Sequence, residues 1–189
     1  MSGTHAPSPR PPGALDVAGT LKRQYHAGLQ MLRQAIEPCP EPLWTGGDHP
    51  NAFWHIAYHT LFYTHLYLQP HEKDFEPWAH HREEYQFLGR LPWPPHDPPA
   101  IGEPYTRDQI LGYWQICDAL VDATVDSLDL AAADCGFWWY DVPKFEHQLV
   151  NLRHLQHHTA QLADRLRRTA DLGVDWISSA SARGPADTA

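Results

Sequence analysis

Residues 53–68, FWHIAYHTLFYTHLYL, are apolar nearly all round a helix, and this feature constrains the fold more than any other. The segment follows Asp48-His49-Pro50, where an Asp near a first-turn Pro is typical of a helix start, and it ends at Pro70. Side chains that are apolar on several faces need packing partners on several sides. We therefore expect this helix to lie at the centre of an all-α bundle.

Three further segments show the spacing of three or four residues that is typical of amphipathic helices. The first helix follows Asp16, a suitable cap, and ends at Pro38. The third begins at Thr106, which forms a capping-box pattern with Gln109, and the fourth begins near Pro143. The apolar positions of the first and fourth helices are Leu21, Tyr25, Leu29, Leu32 and Ile36, and Phe145, Leu149, Leu152, Leu155, Leu162 and Leu166. No strand or internal repeat is predicted.

The segments outside these helices are rich in proline and small residues. Residues 1–14 are predicted to be a flexible arm, residues 15–177 a single helical domain, and residues 178–189 a disordered tail. Residues 70–105 are rich in proline and are predicted to form a long connection between the second and third helices, with one helical turn at 83–88. Long connections of this kind are often functional.

Charge and hydropathy exclude several classes of function. The formal net charge of −9 disfavours nucleic acid as a partner, because binding to phosphates requires clustered Lys and Arg. No apolar run is long enough to span a membrane, and the N-terminus lacks the apolar core of a signal peptide, so we expect a cytoplasmic protein. The cysteines Cys39, Cys117 and Cys135 are widely spaced and odd in number, which predicts neither a disulfide framework nor a thiolate zinc site.

Histidine is the unusual component, with 14 residues, as many as Lys and Arg together. At about 100° per residue, His147, Asn151, His154 and His158 fall within about 60° of one another on the fourth helix. The HxxxH pair His154 and His158 can converge on one ion, as in the HExxH helices of zinc proteins. Its middle glutamate is missing, however, so a metalloprotease helix is excluded.

On the second helix, His59 lies in the middle of an apolar arc and should point into the bundle. His55 lies one turn earlier at the edge of that arc, and His65 is expected to be solvated. The pattern alone leaves two interpretations open, since the histidine stripe of the fourth helix lies about 100° from its leucine stripe. The stripe could line a cleft that holds a metal ion, or it could be a solvated surface in a histidine-rich chain.

Two segments resemble the DinB/YfiT-like metal-binding four-helix bundles. WHIAYHTLFYTHLYL is similar to the second helix of that family, and HLQHHTAQL to its fourth-helix HxxxH motif, with Gln161 in the place of the Gln that usually follows the last ligand. Thr159-Ala160 stand where Arg-Gly often precedes that Gln. The resemblance covers about residues 15–172 and implies an up-down-down-up bundle, in which the unusually long Pro-rich connection serves as a crossover. The metal ligands that it implies are His59, His154 and His158.

Three neutral imidazoles suit a divalent transition metal, for which zinc or nickel is expected, and they leave a coordination position open to a small-molecule substrate. Enzymes similar to this bundle imply transfer of a low-molecular-weight thiol to an electrophile, or thiol-dependent isomerisation. Metal-dependent hydrolysis and non-enzymatic binding of a metal or small molecule in a stress role stay open as alternatives. Exposed aromatics and the resemblance are compatible with a homodimer.

No catalytic residue is assigned from the sequence. The candidates for orienting a ligand or acting as a base are Asp118, Asp141, Glu146 and Asn151. The alternative role for the acids among them is to cap helix ends or to face solvent. The aromatic residues that could wall a pocket or fill the core are Trp54, Tyr58, Tyr63, Phe137, Trp138, Trp139 and Tyr140. Among them, the loop residues Trp138 and Trp139 are the preferred pocket candidates.

Overall fold

The computed structural model describes residues 15–181, and over this range the chain is all-helical, with no strand. The α-helices are α1 (Val17–Ile36), α2 (Glu41–Thr45), α3 (Phe53–Leu68), α4 (Arg107–Ser127) and α5 (Lys144–Ala170). A 3₁₀ helix covers Glu72–Asp74. None of the described helices is both long enough and apolar enough to cross a membrane. The predicted arm at 1–14 and positions 182–189 of the predicted tail lie outside the described residues.

Capping explains where α1, α4 and α5 begin, and these three predicted starts are confirmed. The Asp16 carboxylate accepts a hydrogen bond from the Gly19 backbone N–H at 3.0 Å. Thr106 and Gln109 form a complete capping box at the start of α4. Pro143 precedes the first residue of α5 in an extended conformation, and its own missing N–H costs nothing at a helix start.

As predicted, α3 follows Asp48-His49-Pro50, but it begins at Phe53, so Pro50 lies before its first turn rather than in it. Asn51 is held outside the helix by contacts with distant segments, because its side-chain amide donates to the Leu88 carbonyl at 3.0 Å. Its own carbonyl accepts from Arg165 on α5 at 2.7 Å. The short helix α2 was not predicted, although Pro40 precedes it, and its buried Trp44 packs near the start of α3.

The expectation that α3 lies at the centre is confirmed by its burial: of its 16 residues, His59 and Tyr63 alone are not buried. Both α4 and α5 pack against α3, and both also pack against α1. Each of the four long helices therefore contacts two of the others. Burial of nearly the whole of α3 fits the hydrophobic driving force expected for its aromatic and aliphatic side chains.

The face of α5 that points into the bundle differs from the predicted leucine stripe. Leu149 is 47% exposed, whereas His147, Gln148 and Asn151 are fully buried. Neighbouring carbonyls satisfy two of these side chains: the Gln148 amide donates to the Tyr67 carbonyl at 3.0 Å, and the Asn151 amide donates to a carbonyl of α3 at 3.2 Å. The His147 ring is instead packed among aromatic rings. The histidine stripe therefore faces the bundle rather than solvent, while Leu155, Leu162 and Leu166 are buried as predicted.

Two further predictions were wrong. His65 is buried rather than solvated, and its Nδ1 lies 3.2 Å from the Tyr113 hydroxyl. Residues 83–88 contain turns and no helix, and Glu84 has a φ of 70°, which interrupts a right-handed helical turn. The connection at 69–106 nevertheless packs closely on the bundle, since Trp78 stacks on Tyr113 with ring centroids 4.7 Å apart.

The segment after α5 lies along α1. The carbonyl of Ser178 accepts from the Gln24 side chain at 3.0 Å, and the carbonyl of Ser181 accepts from Gln30 at 3.3 Å. Residues 178–181, where the sequence predicts the start of a tail, therefore contact the first helix.

Candidate metal centre

Three histidines from two helices converge at the interface of α3 and α5. His59, His154 and His158 each offer a ring nitrogen, and these nitrogens all lie within 4.8 Å of one another. The Nε2 atoms of His59 and His154 are 3.0 Å apart. The three ring centroids are separated by 4.5 to 4.9 Å. The side chains that the resemblance singled out are thus brought together in the fold.

Helix geometry explains the arrangement. His154 and His158 lie one turn apart on the same face of α5, and their rings meet edge to face with centroids 4.5 Å apart. His59 and Tyr63 are likewise one turn apart on α3, at its two incompletely buried positions. The Tyr63 ring contacts both His59 and His154, with centroids 4.8 and 5.4 Å away. The cluster therefore lies at the partly accessible side of the α3 and α5 interface.

Hydrogen bonds fix the orientation of two of the rings. Nδ1 of His59 lies 2.6 Å from the Gln86 carbonyl, which can only accept, so this nitrogen carries the proton. Nδ1 of His158 lies 2.8 Å from Oε1 of Gln161 and is a donor for the same reason. In a neutral imidazole the other nitrogen, Nε2, then has a free lone pair. For His59 this nitrogen faces the cluster, 3.0 Å from Nε2 of His154.

The residues present fit a transition metal ion. Two nitrogens held about 2.0–2.1 Å from one tetrahedral ion lie about 3.3 Å apart, close to the 3.0 Å between Nε2 of His59 and Nε2 of His154. Metal-bound histidines commonly donate their second N–H to a carbonyl or similar acceptor, as His59 and His158 do. The exception is His154, whose buried Nδ1 has no hydrogen-bond partner among the described residues.

All three rings are held in the neutral form that binds metals. Burial lowers the pKa of His59 well below its ordinary value, and the neighbouring His154 and His158 lower it further. Burial also lowers the pKa of His154 to about 3, and it lowers the pKa of His158. At neutral pH the three rings are therefore not cationic, so no positive charge on them opposes the binding of an ion.

Other sequence candidates lie elsewhere. His55 is buried one turn from His59, but it is outside the cluster and its Nε2 donates to the Tyr85 carbonyl at 2.8 Å. Asp118 pairs with His26 at 2.7 Å, between α1 and α4. Asp141 and Glu146 are exposed. The groups that orient the metal-site rings are instead the Gln86 carbonyl, which the sequence analysis missed, and the Gln161 side chain.

A large cavity adjoins the cluster. Its volume is about 800 Å³, and its walls come from α3, from the connection at 69–106 and from the loop before α5. Tyr63, Trp138 and Trp139 line it, as predicted for a pocket, whereas Trp54, Tyr58 and Phe137 are buried in the core. Tyr140 is partly buried and packs on the His147 ring. Tyr63 and Gln86 are shared between the cavity wall and the metal centre.

No protein-family model matches this chain, and neither a curated protein nor a solved structure matches it. Proposals about its function therefore depend on the histidine cluster, on the adjoining cavity and on the resemblance of two segments described above.

Proposed function

We propose that this chain binds one divalent transition metal ion, zinc or nickel, through Nε2 of His59, His154 and His158. The observation that carries the proposal is the convergence of three imidazole nitrogens within 4.8 Å, two of them on rings whose other nitrogen is already engaged as a donor. Three protein ligands leave at least one coordination position for a small molecule, as in catalytic rather than structural sites. Neutral imidazoles leave the charge of the ion uncompensated, which favours binding of an anion.

We further propose that the fold is the up-down-down-up bundle of the DinB/YfiT-like family, with residues 69–106 as the crossover. Contacts between helices support this arrangement, because they make α1 parallel to α5, α3 antiparallel to α5, and α4 antiparallel to α1. The parallel packing of α1 and α5 is supported by the contacts Tyr25–Gln148 and Gly28–Leu155. The antiparallel packing of α3 and α5 is supported by Asn51–Arg165 and Tyr67–Gln148. The antiparallel packing of α1 and α4 is supported by Lys22–Asp126 and Leu29–Trp114.

The activity proposed is transfer of a low-molecular-weight thiol to an electrophile. A bound divalent ion would supply Lewis-acid stabilisation of a thiolate at neutral pH. The histidines hold the ion, the Gln86 carbonyl and the Gln161 side chain fix ring orientation, and the adjoining cavity gives room for the second reactant. Among the described residues, the cluster contains no carboxylate. This favours thiol transfer over hydrolysis, since an attacking water benefits from a nearby base whereas a thiolate needs none.

Elemental analysis of protein purified without a histidine tag tests metal binding. Wild type should carry about one equivalent of metal per chain, and the double variant His154→Ala, His158→Ala should carry none, since one imidazole alone cannot hold the ion. The matched control is His49→Ala, which removes an exposed histidine away from the cluster and should leave the metal content unchanged. Metal retained by the double variant, with its helical content preserved by circular dichroism, would refute the assignment.

The proposed reaction is tested separately, by mixing metal-loaded protein with 1-chloro-2,4-dinitrobenzene and a panel of bacterial low-molecular-weight thiols. A thioether product should form with at least one thiol and should disappear when the metal is chelated. Loaded protein that is silent across the whole panel would rule out thiol transfer in favour of a binding role, and the metal site would still stand.

A further inference from the structure

We propose that the cavity beside the histidine cluster holds the body of a flat, uncharged aromatic molecule that carries a hydrogen-bond donor, with the reactive end of that molecule directed at the metal centre. The last part rests on the proposed function, whereas the aromatic site does not.

Size and shape fit a small molecule. The cavity volume of about 800 Å³ falls within the range of roughly 300–1,000 Å³ that is usual for small-molecule sites. Eight of its twelve lining residues are aromatic, so flat faces and ring edges surround most of the space. Trp93 and Trp138 are 48% and 83% exposed, although indoles of this size are usually well buried. An aromatic occupant would cover both of them.

The charge of the walls selects against anions. The lining contains no Lys, Arg or His, and its one ionisable acid is Glu72. A phosphate or sulfonate placed here would lose its water without gaining a cationic partner, which is costly. The polar body of a nucleotide or of a phosphorylated cofactor is therefore excluded as the occupant.

One polar atom of a wall residue has no partner among the described residues. Oε1 of Gln86 is buried without a hydrogen bond, although buried acceptors are nearly always satisfied. The Gln86 side chain lines the cavity, and a half-turn of its terminal amide brings this oxygen to the cavity wall, where a hydroxyl or amine on the bound molecule can donate to it. The aromatic walls favour an aromatic occupant, and this oxygen favours one that carries a donor group.

The cavity and the metal centre share a wall. The Tyr63 ring lines the cavity and lies 4.8 Å from the His59 ring, and the carbonyl of the cavity residue Gln86 accepts the Nδ1 proton of His59. An aromatic body seated against Tyr63 thus has its nearest edge beside the histidines. A substituent on that edge is the part that would meet a bound ion.

The aromatic site is tested in the metal-free full chain with 2-naphthol, naphthalene and naphthalene-2-sulfonate, each titrated by calorimetry. We expect 2-naphthol to bind most tightly, naphthalene to bind more weakly because it cannot donate to Gln86, and the sulfonate to bind at least about tenfold more weakly than 2-naphthol because its charge is unpaired. Equal or tighter binding of the sulfonate, or no binding of 2-naphthol, would overturn the proposal.

Exposed tryptophans provide matched variants that should not disturb the core. Trp93→Ala and Trp138→Ala should each weaken 2-naphthol binding severalfold, whereas Trp176→Ala, at a 77% exposed tryptophan outside the cavity lining, should leave it unchanged. Glu72→Lys should reverse the charge preference and strengthen sulfonate binding. Equal effects of the three tryptophan variants would place the probe elsewhere and refute the site.

The connection to the metal centre is tested with cobalt-loaded protein and 2-naphthalenethiol, which should produce a thiolate-to-cobalt absorption band that Trp138→Ala weakens at a given probe concentration. Failure of cobalt to bind while 2-naphthol still binds would reject the proposed metal function and keep the aromatic site. Cobalt binding without 2-naphthol binding would reject the aromatic site and keep the proposed metal function. Binding of both without the absorption band would show that an aromatic molecule in the cavity does not reach the ion.

Discussion

Replacing His147 with Phe should remove part of the acid sensitivity of this fold. The His147 side chain is fully buried and stacks on Phe137 with centroids 4.6 Å apart, and neither ring nitrogen has a hydrogen-bond partner among the described residues. Burial lowers the pKa of His147 to about 4, and the positive charge of Lys144 contributes to the same shift. A phenyl ring keeps the flat shape of the side chain and cannot take up a proton.

The direction and magnitude follow from proton linkage. Since the folded-state pKa of His147 lies below its ordinary value of 6.5, the unfolded chain binds the proton first as the pH falls. Stability is therefore unaffected above about pH 7 and is lost progressively from about pH 6.5 down to about pH 4. At about 1.36 kcal/mol per pKa unit, this residue alone should cost wild type about 2 kcal/mol between about pH 7.5 and pH 4.5. The His147→Phe variant should not lose this part of its free energy of unfolding.

The measurement is urea unfolding with a chelator present, at both pH values, followed by tryptophan fluorescence. Any change in packing caused by the phenyl ring is the same at both pH values, so the difference between the two isolates the titration of the imidazole. Val121→Ala is the control, because it weakens the buried core without removing a titratable group and should shift the stability equally at both pH values. If His147→Phe loses as much stability as wild type on acidification, the imidazole is protonated in the folded state and the reasoning fails.

Three further changes have expected outcomes. Burial alone would lower the pKa of His26, but hydrogen bonds and charges of nearby carboxylates, with Asp118 at 2.7 Å, outweigh it and raise the pKa. That stabilisation is complete below about pH 6.5 and fades as the pH rises through the folded-state value, so His26→Gln should cost more stability in urea at about pH 6 than at about pH 9. Gly136→Ala should destabilise by about 1–3 kcal/mol in thermal unfolding, because alanine disfavours a φ of 81° and its added Cβ would clash with the Pro70 carbonyl; a neutral result would contradict the turn geometry. Thr106→Ala should cost about 1 kcal/mol by removing a cap of α4, whereas Thr106→Ser should retain most of the stability.

Local sequence signals predicted most of the helical framework. The caps at Asp16 and Thr106 and the apolar character of 53–68 are properties of neighbouring residues, so they can be recognised without the fold. The start of α3 could not be predicted in this way, because Asn51 is fixed by Leu88 and Arg165, which are distant in sequence. The local pattern around Pro50 favoured a helical first turn there, but the long-range hydrogen bonds of Asn51 prevent it.

The orientation of α5 shows a second limit. Hydropathy predicted that Leu149 would face the core, yet the bundle buries Asn151 and exposes Leu149, because backbone carbonyls at the centre accept from the polar side chain. Which carbonyls are available depends on how the helices pack, and this packing cannot be read from the sequence alone. The same holds for Gln86, whose contact with His59 uses the backbone and so leaves no trace in residue type.

The position of Gln86 has a thermodynamic consequence. Its carbonyl lies 2.6 Å from Nδ1 of the His59 imidazole while its side chain lines the neighbouring cavity, so one residue takes part in both of the proposed binding sites. Any molecule that shifts this residue also changes how strongly the orientation of the His59 ring is restricted. By reciprocity, the factor by which such a molecule changes the affinity for an ion equals the factor by which the ion changes the affinity for that molecule.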